Sequence, residues 1–418
     1  MTGISNPSLL TRLAAPKLEA ALLDTPVVLL HGPRQCGKTT LSRMVAEPKG
    51  YGYLSFDDDN LVAAALHDPI RFLSDLPPKM VLDEIQRVPQ IFTAIKTIVD
   101  RDRMPGRFLL TGSANVLLLP KLSDSLAGRL EAQSLHPLSQ CELKQYEPQF
   151  LNRLFNADFR VSRYNRMGEQ LAELIAAGGY PSALARDPMR RRAWYMAYIK
   201  TLLQRDVRDL ARISSLAILP KLLKLAATQT AQLFNATVLS APFELSRQTI
   251  GDYMTLLERV FLVDTLPPWH TREINRLVKS SKLYFVDTGL ACAFLRVTPP
   301  ELYQDRALFG QMLETFLVQE IRRQATSADD DFVFHHFRDR DNHEVDLVVE
   351  RGYGELAGVE MKAAASVQSS DFRGLRKLQE IAGTQFKCGI VLYDGDTMLP
   401  FGEKMFAVPI QSLWQKSL

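Results

Sequence analysis

The sequence predicts an α/β protein in three parts: a parallel sheet at the front, a helical middle and a second α/β unit at the end. Three observations carry this expectation. Residues 27–41 read as a strand, a glycine-bounded loop and a helix start. Up to residue 135, short apolar runs alternate with helical stretches, the pattern of a parallel sheet with crossover helices. From about residue 139 to 260 strand-like runs disappear, and from 282 they return in number.

The loop decides the chemistry of the first part. Gly32, Pro33, Arg34, Gln35, Cys36, Gly37, Lys38 and Thr39 match the pattern G-x-x-x-x-G-K-[ST] at every fixed position, and Thr40 follows as a further candidate for nucleotide binding. Two glycines let the backbone curl so that successive N–H groups converge on a triphosphate, and the following helix adds its positive end. Lys38 is expected to reach the β- and γ-phosphates and Thr39 to ligate Mg²⁺. The nucleotide expected is ATP.

The remaining strands of this part fall at 51–56, 80–82, 108–111 and 131–135. The third run ends in Asp83-Glu84. Asp83 suits a Mg²⁺ ligand acting through water, and Glu84 suits polarisation of the attacking water. Acids opening the next helix would also suit its dipole. The fourth run ends in Thr111-Gly112-Ser113, where a hydroxyl can contact the γ-phosphate; a plain turn uses the same residues. Arg129, after Gly128, can stabilise transition-state charge in its own subunit or a neighbour's, or form a surface ion pair.

Composition narrows the classes. Of 418 residues, 46% are hydrophobic and 23% charged, ordinary for a globular protein. The net charge of +3 excludes a polycation, so any nucleic-acid surface is a local patch. Cys36, Cys141, Cys292 and Cys388 lack C-x-x-C spacing, which argues against a zinc site or a disulfide framework. Residues 1–23 read as an amphipathic helix, and no window approaches the ~18 apolar residues of a membrane span. The expected location is cytoplasmic, without a membrane partner.

Helical periodicity fills 169–177, 189–213, 216–233 and 247–260, followed by an apolar run at 261–266. Three helices and a strand suit a winged-helix module with 247–260 as recognition helix. Further strands are expected at 282–286, 332–337, 345–350, 356–361 and 389–393, with helices near 308–323 and 370–382.

With these motifs assembled, the chain resembles the widespread bacterial and archaeal AAA+-type ATPases whose C-terminal half is a domain of unknown function. The matching residues are Gly32-Pro33-Arg34-Gln35 with Gly37-Lys38-Thr39, Asp83-Glu84-Ile85-Gln86, Leu110-Thr111-Gly112-Ser113 and Leu126-Ala127-Gly128-Arg129 with Pro137-Leu138-Ser139. They continue through Gly178-Gly179-Tyr180-Pro181, Leu203-Gln204-Arg205-Asp206-Val207 and Lys282 to Leu290. The resemblance implies an AAA+-like P-loop ATPase domain with helical lid over 1–205, a winged-helix-like domain over 206–280 and a restriction-endonuclease-like domain over 281–418. By analogy with that family a homo-oligomeric ring is expected, in which Arg129 would be a candidate for action in trans.

The last part holds a second constellation. Glu360 and Lys362 have the E-x-K spacing and share one strand face. A hairpin through Arg351-Gly352-Tyr353-Gly354 brings the strand of Asp346 alongside, and Glu314 borders the apolar face of its helix. Together these resemble the PD-(D/E)xK nuclease core: two carboxylates for a second Mg²⁺ or Mn²⁺ and a lysine to orient water. Cross-strand Glu–Lys pairs are also common on exposed sheet faces.

Candidate DNA-binding residues are Arg272, Arg276, Lys279 and Lys282, the run Arg190-Arg191-Arg192, and Arg247, Gln248 and Thr249. His335 and His336 alternate across a strand and form no two-histidine ligand set. The expected protein is a Mg²⁺-dependent ATPase acting on DNA. A nucleotide-gated, antitoxin-like switch and a protein-remodelling motor, each with an inactive nuclease-like domain, are the alternatives.

Overall fold

The structure, a computed structural model, describes residues 10–113, 126–207, 218–270 and 280–417. Five strands, β1 (Val27–His31), β2 (Gly52–Ser55), β3 (Met80–Asp83), β4 (Phe108–Gly112) and β5 (Leu130–Ser134), form a parallel sheet in the order β2-β3-β4-β1-β5. Helices cover both faces, which is why the fully buried strands β1, β3 and β4 read as nearly unbroken apolar runs. Val27, Leu29, Leu82 and Leu110 join one core with helix Ile91–Arg101. Val28, Leu30, Val81 and Leu109 join the other, with helices Ala15–Asp24 and Lys38–Ala46.

Beyond a short strand β6 (Ser162–Arg163), helices dominate to residue 259. Helix Pro188–Thr201 runs into a π-helical stretch, Leu202–Asp206, and residues 208–213 of the expected helix lie outside the described residues. The expected helix over 216–233 stops at Thr228, and 232–233 are strand instead. Helix Leu219–Thr228, β7 (Gln232–Leu233), helices Ala236–Ser240 and Arg247–Arg259, β8 (Val263–Leu266) and β9 (Lys282–Phe285) follow in order. The three strands pair antiparallel as β7-β9-β8. The strand expected at 282–286 therefore exists, but it pairs with its sequence neighbour β8 rather than with the strands that follow.

The last unit has strands β10 (Phe332–Arg338), β11 (Glu344–Arg351), β12 (Glu355–Lys362), β13 (Phe386–Tyr393), β14 (Thr397–Gly402) and β15 (Met405–Pro409). With β6 on its edge the sheet runs β10-β11-β12-β13-β15-β14-β6. Helix Arg306–Ala325 packs with Leu347, Val349, Ala357 and Val359, while helix Arg373–Ala382 packs with Val345, Val348, Leu356 and Val391. One hydrophobic cluster extends from Cys141 to Trp414, so the middle and the last unit share a core.

A buried carboxylate organises that shared core. Asp287 caps helix Thr288–Leu295 by accepting from the Gly289 and Leu290 N–H groups, and also accepts from Gly179 N–H at 2.7 Å. Arg323 donates to it at 3.2 Å and to the Leu138 carbonyl at 3.0 Å. Asp287→Asn would leave the Arg323 charge buried without its counter-ion, a change that costs about 3–5 kcal/mol. The expected result is a lower urea midpoint with an unchanged slope; a midpoint equal to that of the unaltered protein would remove Asp287 from this role.

Candidate nucleotide site and a second carboxylate cluster

The phosphate loop forms where β1 leaves the sheet between β4 and β5, at the carboxyl ends of the strands. That is the crevice where open α/β sheets bind ligands. Gly32 has φ +152°, and a Cβ there would lie 2.1 Å from the Leu135 carbonyl oxygen. Only glycine fits this close passage. Lys38 is buried, and its ammonium donates to the Gly32 and Pro33 carbonyls at 2.9 and 2.8 Å. Pro33 is buried, Arg34 half-buried, and Gln35 and Thr40 exposed. The Cys36 thiol turns away to the Leu135 carbonyl at 3.3 Å, and burial raises its pKa, so it stays a neutral packing group.

Around the loop the strand ends converge as their residue types suggest. Asp83 accepts the Thr39 hydroxyl at 2.9 Å, the Tyr53 hydroxyl at 2.6 Å and the Thr111 hydroxyl. Burial and the Asp83 hydrogen bond push the Tyr53 phenol up, so it remains a donor. Glu84 follows with φ +57°, a left-handed conformation that non-glycine residues seldom adopt. This turn brings its carboxylate to Ser113 Oγ at 2.8 Å and to the Gln86 amide, which itself reaches Ser113 Oγ at 2.8 Å. Lys38, Thr39, Asp83, Glu84, Thr111 and Ser113 thus gather in one place.

Arg129 is not brought there. It sits at the start of β5 beside Val27, whose N–H donates to its carbonyl, and pairs with Asp100. One strand length, about 13 Å, separates that end from the loop.

Sequence reasoning missed three neighbours. Arg12 donates to the Cys36 carbonyl at 2.8 Å, the His136 carbonyl at 2.6 Å and Glu142 at 2.8 Å. Tyr198, on helix Pro188–Thr201, donates to the Arg34 carbonyl at 3.0 Å. Tyr53 is the third. Arg12 and Tyr198 lie 24 and 164 residues from their loop partners, beyond any local pattern. Tyr53 alone carried a signal, since it lies on β2, whose Ser55 is in register with Asp83.

The C-terminal carboxylates also meet. Lys362 donates to Glu360 at 2.9 Å, and Met361 N–H donates to Asp346 at 2.9 Å. Glu314 approaches from helix Arg306–Ala325. Burial, and then the Asp346 carboxylate, push Glu314 and Glu360 each up to about 8. Lys282 stands among them, donating to Glu314 at 2.8 Å and Asp346 at 3.1 Å, with Glu344 at 2.9 Å. The sequence had offered Lys282 to DNA instead. Arg272, Arg276 and Lys279 lie outside the described residues. Arg191 is occupied by the Ala183 and Arg186 carbonyls, whereas Arg190, Arg247 and Gln248 are exposed.

With the geometry in hand, comparison places the chain among known proteins. An AAA domain family matches residues 24–144, and two domains of unknown function match 168–301 and 309–413. Uncharacterized proteins of Mycobacterium tuberculosis and Mycobacterium bovis are each 31% identical over 401 residues, spanning 96% of this chain and 83% of theirs. The chain belongs to their family, an AAA+-type P-loop ATPase family. A solved Walker-type ATPase of Pyrococcus abyssi aligns with 67% of this chain and 94% of its own, at 14% identity and a TM-score of 0.44. No helix among the described residues is long and apolar enough to cross a membrane.

His31, the last residue of β1, gives the family fold a pH dependence in this chain. Burial, then the Lys38 charge, lower its pKa to about 4, against 6.5 when unfolded. As pH falls from 6.5 towards 4 the unfolded chain takes up a proton that the folded chain refuses. Stability therefore drops with falling pH, by up to about 1.4 kcal/mol per unit for one group. Burial also lowers His136 to about 3 and His336 to about 4, so His31→Asn should reduce the fall of the urea midpoint between pH 6.5 and 4.5 without removing it; an unchanged slope would exclude a contribution from His31.

Proposed function

We propose that this protein is a Mg²⁺-dependent ATPase acting on DNA, with ATP turnover coupled to the helical middle and the last unit. The observation that carries the ATPase reading is the Asp83 carboxylate, which joins the P-loop Thr39 to Thr111 at the end of β4. The donor set fits the expected groups: a hydroxyl and a carboxylate for Mg²⁺, and a lysine beside a loop whose Gly32 admits no side chain. Thr39 and Asp83 would hold the ion, which supplies neutralisation of phosphate charge. Glu84 orients and deprotonates water, Thr111 and Ser113 set the position of the two acids, and Lys38 binds the phosphates.

Tyr198 supports the coupling, because its hydroxyl joins the loop carbonyl of Arg34 to helix Pro188–Thr201. The order helix, β7, helix, helix, β8, β9 supports a winged-helix reading, with exposed Arg247 and Gln248 opening the recognition helix. Arg129 would act across a subunit interface of a ring, after release from Asp100.

The test is ATPase rate with and without duplex and single-stranded DNA. Lys38→Ala should abolish turnover, and Glu84→Gln should retain ATP binding while turnover falls about 10²–10⁴-fold. Equal turnover in Lys38→Ala sinks the ATPase reading. Stimulation by DNA supports the target, whereas stimulation by a protein substrate alone favours a remodelling motor.

A further inference from the structure

Lysine ammonium has three protons, and at Lys282 each has a carboxylate to meet: Glu314 at 2.8 Å, Glu344 at 2.9 Å and Asp346 at 3.1 Å. The side chain is 3% exposed. Its backbone is held on both sides, since Lys282 is in register with Leu233 of β7 and Leu266 of β8. The acids come from elsewhere, Glu314 from the long helix and Glu344 and Asp346 from β11. Asp346 spends its other oxygen on Met361 N–H. Glu360 gives one oxygen to Lys362, and its second is buried with no hydrogen-bond partner among the described residues.

We propose that the Lys282 ammonium is the built-in cation of this cluster: it takes the place a divalent metal would fill between Glu314 and Asp346, so the folded cluster binds no such metal. The inference rests on reading Glu314, Asp346, Glu360 and Lys362 as a nuclease-like constellation. It narrows that reading to a domain that holds its target without cutting it, because phosphodiester hydrolysis at such a centre needs metal-bound water.

Spacing and charge agree. Oxygens around Mg²⁺ stand about 2.0–2.1 Å from the ion, whereas these stand 2.8–3.1 Å from the nitrogen. The ammonium is a wedge that keeps the acids open. Among the described residues the one group of three or more His, Cys, Asp or Glu with ligand atoms all within 4.8 Å of one another is Asp339, Asp341 and His343, outside this cluster. Four acids (Glu314, Glu344, Asp346 and Glu360) face two ammonium groups (Lys282 and Lys362). Removing Lys282 leaves these carboxyl groups only Lys362 and, beside Glu344 at 3.9 Å, Arg338, a cluster that attracts a divalent ion.

The experiment is Mn²⁺ titration of the full-length protein without nucleotide, with free ion followed by electron paramagnetic resonance. In the unaltered protein, Asp346→Asn should leave Mn²⁺ binding unchanged. Lys282→Met should gain one Mn²⁺ equivalent, bound at least tenfold more tightly than any site of the unaltered protein, and Lys282→Met/Asp346→Asn should lose it. Mn²⁺ should raise the Tm of Lys282→Met and leave that of Lys282→Met/Asp346→Asn unmoved. A Mn²⁺ site in the unaltered protein that Asp346→Asn removes would overturn the proposal, a result that needs no Lys282 variant to fold. If that site also supports plasmid cleavage lost in Glu360→Gln, the proposal falls while the nuclease-like reading stands. A folded Lys282→Met that gains no Mn²⁺ overturns both.

Discussion

Asp287 is the constraint on which the joined middle and end of the chain depend. Its carboxylate is fully buried and collects backbone N–H groups from two turns, the Tyr195 hydroxyl and the Arg323 guanidinium. A buried charge is tolerable only when its oxygens are satisfied this completely. The geometry leaves no slack: a Cβ at Gly178, where φ is +67°, would lie 2.2 Å from an Asp287 oxygen. Arg323 passes the link on to Leu138, whose N–H donates to the Gly179 carbonyl at 2.7 Å. Three residues separate Leu138 from the end of β5, so the P-loop sheet is tied to the same point.

The phosphate loop is clamped by residues distant in sequence in two further places. Arg12 fastens the Cys36 carbonyl to Glu142, which is itself fixed by a reciprocal cap with Ser139. Tyr198 fastens the Arg34 carbonyl to a helix whose Tyr195 touches Asp287. A change in loop shape that moves these carbonyls must break hydrogen bonds in partly or fully buried surroundings. In such surroundings each lost partner costs about 1–3 kcal/mol. The loop can therefore convey its shape to the middle of the chain without a long mechanical path.

The parts of this fold legible in the sequence are those whose physics is local. A strand, a glycine-bounded loop and a helix announce the cradle at Gly32–Thr39, and acids or hydroxyls at strand ends announce Asp83, Glu84 and Thr111. The two-residue period of a strand puts Glu360 and Lys362 on one face. Contacts between distant segments were not legible. Lys282 reads as one more cation in a basic stretch, and nothing near it in sequence says that Glu314 and Asp346, 32 and 64 residues on, will surround it. The helix end at Thr228 was also hidden, because pairing of Gln232 with Leu283 overrides the local helical pattern.

The strand β9 carries a consequence of a different kind. Lys282 and Tyr284 both reach Glu314, and Asp287 follows two residues after the strand ends. Side chains in a strand alternate, so a slip of one residue would offer Leu283 to the acids and withdraw Asp287 from Arg323 in the same movement. No intermediate register satisfies either charge. The segment 282–290 thus has a single register in which both buried charges are matched.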